Sequence, residues 1–467
     1  MKLMLRSAER VEGQEQPYIP LGLLKLRIPF VHFEWELPEM FQGMIVFIVC
    51  VSATSYLQDL FGVSWEVALA IVCVHDILYA VQNIFGDPMV GGWITPAIPL
   101  IGAYLGTIPA GPDRIHALIA LQLILGLLFV VLGLTGVAGK LVSWVPSSVK
   151  SGILIGAGIS AIIGKYGFLA VEKGGIGFFK HPISFSVGVL ISLFTLFSLG
   201  FKQKKHKTKG KNIFVNFMAK AGLVPSILMA FLIGIIVKEI ALPQFTGWGW
   251  FNFPKYLISD VFPKFSIIGI GFPPLRIIIK TIPMALITYF IAFGDIVAGT
   301  EFLKETDKAR EDEVIDVNPN RTNFLCGIRN LIQAFFCPTV TMSGPLWTAM
   351  MVSIAERYKA GKENMYSIFG GAATFDIAKA IACMWLPLLM LVKPVLPVSM
   401  SLTLMVQAFG SFYVAFGLVN TNQERGVAGI VGGILAIAGP AVGLIAGIIV
   451  AIVVQFLAVD KNYKMDL

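Results

Sequence analysis

The sequence predicts an all-α polytopic membrane protein: fourteen transmembrane segments in two inverted repeats of seven, each repeat holding one broken half-helix segment. Three observations carry this reading. The 467 residues are 56% hydrophobic, 14% charged, with a mean hydropathy of +0.79, more apolar surface than a soluble chain of this length can hide. Apolar runs of about 20 residues, the length that crosses a bilayer as a helix, recur along the chain. Two further runs are too short to cross, and both begin at Pro/Gly breaks in matching places of the two halves.

Residues 1–37 are mixed and charged, with no cleavable signal peptide visible. The stretch Tyr18 to Phe33 sets Leu, Ile and Phe among Lys25 and Arg27, and is expected along the bilayer surface. The first repeat, 38–241, places spans near 39–59, 64–84, 115–136, 147–165, 183–201 and 221–241, with the short segment 93–107 among them. A loop, 242–276, follows. The second repeat, 277–459, places spans near 277–300, 323–337, 366–392, 395–418, 426–439 and 440–459, with the short segment 344–357; residues 460–467 form a tail. An odd number of spans per repeat inverts the second relative to the first, a recurrent plan of secondary transporters.

Charge sets the orientation. Lys202, Lys204, Lys205, Lys207, Lys209 and Lys211 crowd one loop, which is expected in the cytoplasm. Both termini, loop 301–321 and Arg357 to Lys362 then also face the cytoplasm, and 242–276, with Trp248 and Trp250, faces outward. The expected location is the plasma membrane, or the inner membrane of a bacterium. The net charge of +8 sits in loops and implies lipid, not nucleic acid, as its partner. Cys50, Cys73, Cys326, Cys337 and Cys383 lie in or at the ends of apolar runs without metal spacing, and read as small buried residues. No nucleophile–base set or nucleotide loop suggests an enzyme, and no cofactor is expected.

The chemistry concentrates at the breaks. Gly91 to Pro99 and Pro338 to Pro345 each precede a short helix, which Pro99 and Pro345 are expected to start. The positive N-terminal ends would then face each other near the bilayer centre. Irregular backbone at that depth must line protein or a water-filled cavity. Asp295 lies deep in an apolar run, where a charge is expensive and usually serves a pathway. It is a candidate for holding a substrate group, a Na⁺ ion or a coupling proton. His75 and Asp76 are further coupling candidates, on different faces of one helix. Asp376 and Lys379, three apart, are expected to pair with each other. Arg329 and Asn330 are expected to face a helix neighbour or the cytoplasmic vestibule. Gln58, Gln122, Gln333 and Gln407 carry no individual signal. Trp93 and Trp347 stand beside the breaks, where an aromatic ring can stack on a planar solute.

Three patterns, Val145 to Gly158, Phe293 to Gly299, and Asn318 to Asn330 followed by Phe335 to Gly344, give the chain a resemblance to the superfamily of nucleobase–ascorbate transporters, sulfate permeases and bicarbonate–borate exchangers. The first is similar to that group's proline-then-glycine start of the fifth span. The second is similar to its acid-then-glycine eighth span, and the third to its passage from ninth to tenth span. The resemblance implies a core domain of spans 1–4 and 8–11 and a gate domain of spans 5–7 and 12–14. It implies an elevator-like motion and a homodimer. Substrate would meet Thr95, Ala97, Asp295, Ser343 and Gly344. Met342 to Pro345 lacks the second acid that nucleobase transporters often carry there. The leading expectation is a transporter of a small planar or carbonyl-bearing solute, a nucleobase first, coupled to H⁺ or Na⁺. The alternative is an inorganic or small organic anion; a channel or a membrane scaffold is the rival from another class.

Overall fold

The computed structural model describes residues 9–170, 177–208, 212, 215, 218 and 222–456. Expectations for residues 1–8, Lys209, Lys211 and 457–467 lie outside them.

The stretch expected on the bilayer surface folds as an antiparallel hairpin of β1 (Ile19–Leu21) and β2 (Leu24–Leu26). Helix α1 (Leu37–Val51) runs on through Ser52 into α2 (Ala53–Phe61). Helix α3 (Trp65–Ile84) starts where the Ser64 hydroxyl accepts from the Val67 amide, an ordinary N-cap. The two-residue strand β3 (Gly92–Trp93) leads through a 3₁₀ turn at Thr95–Ala97 into α4 (Ile98–Gly106). Then come α5 (Pro112–Thr135), closed by Gly136 at φ 69°, α6 (Ser147–Ile163), α7 (Pro182–Ser192) and α8 (Val224–Ile236).

The second half repeats the order. Helix α9 (Leu275–Asp307) contains Pro283 and runs past the expected end of its span. Helix α10 (Pro319–Phe336) is capped by the Asn318 side chain. The strand β4 (Ser343–Gly344) precedes α11 (Thr348–Lys359). The span expected over 366–392 is two helices, α12 (Ile368–Ala382) and α13 (Leu386–Val392). The break between them is filled by the distant loop 242–276: Phe251 N donates to Met384 O at 2.8 Å, and Leu386 N donates to Gly249 O at 3.0 Å. That long-range pairing has no local sequence signal. Helix α13 continues through a 3₁₀ turn into α14 (Leu396–Gly417), followed by α15 (Asn422–Ala438) and α16 (Pro440–Ala451).

Among the described residues, five helical stretches are long and apolar enough to cross a membrane: Leu37–Phe61, Trp65–Ile84, Pro112–Thr135, Leu275–Asp307 and Leu386–Gly417. The helices pack in two groups. In one, α5 lies against α9 and α10, and α12 against α1 and α3. In the other, α6 lies against α14 and α15, α7 against α8 and α14, and α15 against α16. Small residues permit the closest contact in the second group: a Cβ on Gly152 would stand 2.5 Å from Val431 Cβ, and one on Gly432 2.5 Å from Ile155 Cγ2.

The N-terminal segment is clasped to the first group by ion pairs. Arg10 Nη2 and Arg310 Nη2 both donate to Asp312 Oδ2 at 2.6 Å. Lys25 bridges Glu15 and Asp316, and Asp316 also accepts from Arg321 at 2.9 Å. Arg27 is fully buried, paired with Glu15 and placed 3.8 Å over the Phe369 ring. Ile19, Leu21, Ile28 and Phe30 remain exposed. Hydrogen bonding from Arg310, opposed by partial burial and reinforced by the Arg310 and Arg10 charges, lowers the Asp312 carboxyl from 3.8 to about 2. A depressed carboxyl stabilises the fold above its ordinary value, and that contribution fades as pH falls from about 4 toward about 2. With solvent screening it amounts to about 1–2 kcal/mol. Asp312→Asn is expected to lower the thermal midpoint at neutral pH and speed proteolytic cleavage within 9–35. At about pH 2 the difference from the parent should vanish. Equal cleavage at neutral pH would show that the clasp does not hold the segment.

Candidate functional site

Backbone that leaves helical geometry inside an apolar body must find other partners; each buried amide left unpaired costs roughly 1–3 kcal/mol. The two breaks supply them to each other. Strands β3 and β4 pair antiparallel, Gly92 opposite Gly344 and Trp93 opposite Ser343. Ile94 N donates to Met342 O at 3.1 Å, and Trp347 N donates to Val90 O at 2.8 Å. Buried side chains satisfy much of the rest. Asn330 donates to Ser343 O at 2.8 Å and accepts from Ser343 N at 3.0 Å. Gln82 donates to Pro345 O at 2.9 Å, and Thr339 N donates to Gln122 at 3.0 Å. Gln333 accepts from the Ser343 hydroxyl at 3.0 Å and also contacts His75. Arg329 binds Gln82 and lies 4.6 Å from the centre of the Tyr79 ring.

Pro99 stands in the first turn of its half-helix as expected, just after the 3₁₀ turn of Thr95–Ala97, whereas Pro345 does not start the other. The second begins at Thr348, and Pro345 belongs to the crossing, where its carbonyl is held by Gln82. Its ring still excludes an unpaired N–H from the crossing.

A cavity of about 310 Å³ opens where the crossing meets the second helix group. Trp93, Thr95, Trp347 and Thr348 line it from the two half-helix starts, Asp295 from α9, and Thr403 and Gln407 from α14. The first-turn amides of a helix are unpaired donors at the positive end of its dipole. Among the described residues, Asp295 is the one Asp, Glu, Lys, Arg or His on the lining, and no side chain pairs with it. The lining thus offers dipole ends, hydroxyls, an amide, two indoles and a carboxylate. It offers no nucleophile–base pair.

Four sequence candidates, Asp295, Thr95, Trp93 and Trp347, therefore share one cavity. Three do not line it. Ala97 is buried behind it, while Ser343 and Gly344 build the crossing. His75 and Asp76 are buried as well: His75 lies 2.6 Å from the Tyr79 hydroxyl, and Asp76 accepts from the Cys383 thiol at 2.7 Å. Asp376 and Lys379 pair as expected, at 2.7 Å, fully buried. Arg329 faces a helix neighbour, one of the two expected settings, through Gln82 and Tyr79 on α3, and Asn330 faces the crossing. Gln122 and Gln333 hold the crossing, and Gln407 lines the cavity. Thr348 was missed, although it follows Trp347 much as Thr95 follows Trp93. Thr403 and Gln407 lie inside an ordinary apolar helix, where nothing local marks them.

No family model matches the chain, and no curated protein matches its sequence. Its structure is similar to the transmembrane domain of a cyanobacterial bicarbonate transporter, BicA, at 13% identity and a TM-score of 0.51, over 88% of this chain and 97% of that one. It is also similar to the murine solute carrier 26 family member A9, an anion transporter in its inward-facing state, at 14% identity and a TM-score of 0.54, over 90% of this chain and 68% of that one. At such identities the likeness is one of fold. The chain shares its fold with these two transport proteins.

Proposed function

We propose that this chain is a secondary active transporter of a small inorganic or organic anion, coupled to H⁺ or Na⁺ through Asp295. The observation that carries the reading is the cavity between two half-helix starts, with an unpaired carboxylate on its lining. Dipole ends and amide donors suit an anion, and the carboxylate demands a cation or proton beside it. Both solved neighbours are named as anion or bicarbonate transporters. That favours the anion over the nucleobase expected first. The helix group that holds the crossing would carry the anion past the group of α6–α8 and α14–α16, as an elevator does. A homodimer in the plasma membrane with both termini in the cytoplasm completes the proposal.

One observation keeps a second reading in view. Trp93 and Trp347 with Gln407 offer flat faces and an amide to a planar carbonyl compound. Reconstituted protein should therefore be tested for uptake of radiolabelled sulfate, bicarbonate, chloride and small carboxylates beside a nucleobase panel. Saturable uptake of one or more anions is expected. Uptake of nucleobases alone would establish the second reading, and large single-channel currents without counterflow would replace both with a channel.

A further inference from the structure

Behind the cavity lies a group of buried charges that the transport reading leaves unused. Asp76 on α3 and Asp376 and Lys379 on α12 are all 0% exposed. Lys379 donates to Asp376 Oδ1 at 2.7 Å, and its ammonium stands 3.9 Å from the centre of the Tyr79 ring. Asp76 accepts from the Cys383 thiol through Oδ2, while Oδ1 has no hydrogen-bond partner. The groups facing Asp76 are Cys50 from α1, Cys73 on its own helix, and Asp376, Lys379 and Cys383 from α12. Beyond Tyr79 stand His75 and, from α10, Arg329.

Two of these groups connect the cluster to the cavity. Cys50 and Tyr79 are on the cavity lining, and Cys50 also lies against Asp76. One thiol thus separates the Asp76 carboxylate, whose Oδ1 has no hydrogen-bond partner, from the place where solute would sit. We propose that Asp76 is a proton-carrying site, distinct from Asp295, loaded from the cavity past Cys50. In use, a hydronium ion in the cavity transfers its proton to Oδ1. One O–H bond forms there, one breaks in the hydronium ion, and water remains; the reverse transfer follows on the other side of the membrane.

The surroundings select a proton over a metal cation. Sodium, like other hard cations, takes several oxygen ligands, whereas Asp76 is surrounded by thiols, an ammonium and a single further carboxylate, Asp376, which is held by Lys379. Charge counting gives the site its use. Asp76 and Asp376 balance Lys379 and Arg329, so one added proton places one positive charge beside the cavity. A monovalent anion entering that cavity brings one negative charge, and the two enter as a neutral pair. This use rests on the proposed transport; the protonation of Asp76 does not.

The test therefore needs no solute. Infrared difference spectra of the whole protein in liposomes, recorded on raising the pH, are expected to show loss of a buried carboxyl C=O band. Asp76→Asn should remove that band, while Asp295→Asn and Asp376→Asn should retain it. Cys383→Ser leaves Asp76 in place but changes the donor on Oδ2, and should shift the band frequency. This variant carries the test where Asp76→Asn does not assemble. A band that survives in Asp76→Asn, or disappears in Asp295→Asn, would overturn the proposal. So would the absence of any titrating carboxyl band in the parent, or a frequency unmoved by Cys383→Ser.

Discussion

Asp295→Asn will lower the accumulation ratio of the transported solute by about tenfold for each tenfold gradient of the ion that Asp295 binds. The estimate is thermodynamic. One coupled proton supplies about 1.4 kcal/mol per pH unit, which supports a tenfold concentration ratio. Asparagine keeps the size of the side chain and its place on the cavity lining, but binds neither a proton nor Na⁺ as a carboxylate does. Exchange of labelled for unlabelled solute should survive, because the dipole ends, Thr95, Thr348 and the indoles remain. The result also separates two roles for one residue. A group that only holds the solute would raise KM and leave the accumulation ratio alone. If Asp76 carries a second proton, its share of the ratio persists in Asp295→Asn and is lost only when Asp76 is also replaced. An unchanged ratio in the single variant would leave Asp295 without a coupling role.

What could be read from the sequence followed cost. A carboxylate in an apolar run and Pro/Gly breaks at membrane depth are expensive, so Asp295, Thr95, Trp93 and Trp347 announced themselves, and all four line the cavity. The lining from α14 did not. Thr403 and Gln407 fit an ordinary helix and become site residues only because α14 faces the crossing. The amides were illegible for a related reason. Gln82, Gln122 and Asn330 pair with backbone from other elements and Gln333 with the Ser343 hydroxyl, and no local spacing records that. The resemblance implies that Ser343 and Gly344 meet the substrate, yet both are buried where β4 pairs with β3. The interrupted span at 383–385 shows the same limit, since its missing helical bonds are met by residues 249–251.

That burial makes Gly344 a position where one added side chain should do severe damage. A Cβ there would stand 2.9 Å from Ile94 N and 3.0 Å from Gly92 O, against backbone that has no free rotamer to yield. Across the ribbon the fit is tighter still: a Cβ on Gly92 would meet Leu346 O at 2.5 Å. Gly344→Val must therefore spread β3 from β4. Spreading them breaks pairing that side chains at distant positions cannot replace, and displaces both half-helix starts together. Overpacking alone costs about 1–3 kcal/mol, and each buried amide left unpaired adds a similar amount. Uptake should be lost completely, with a lowered thermal midpoint. Ser343→Ala keeps the ribbon and gives up only the hydroxyl bond to Gln333, about 1 kcal/mol, so it should still transport. Gly433→Ala, with open space at its Cβ, should match the parent in both measurements. The three variants separate a crossing that positions the site from residues that touch the solute. If Gly344→Val transports normally while Ser343→Ala does not, Ser343 belongs to the solute after all, and the paired ribbon is not what holds the cavity open.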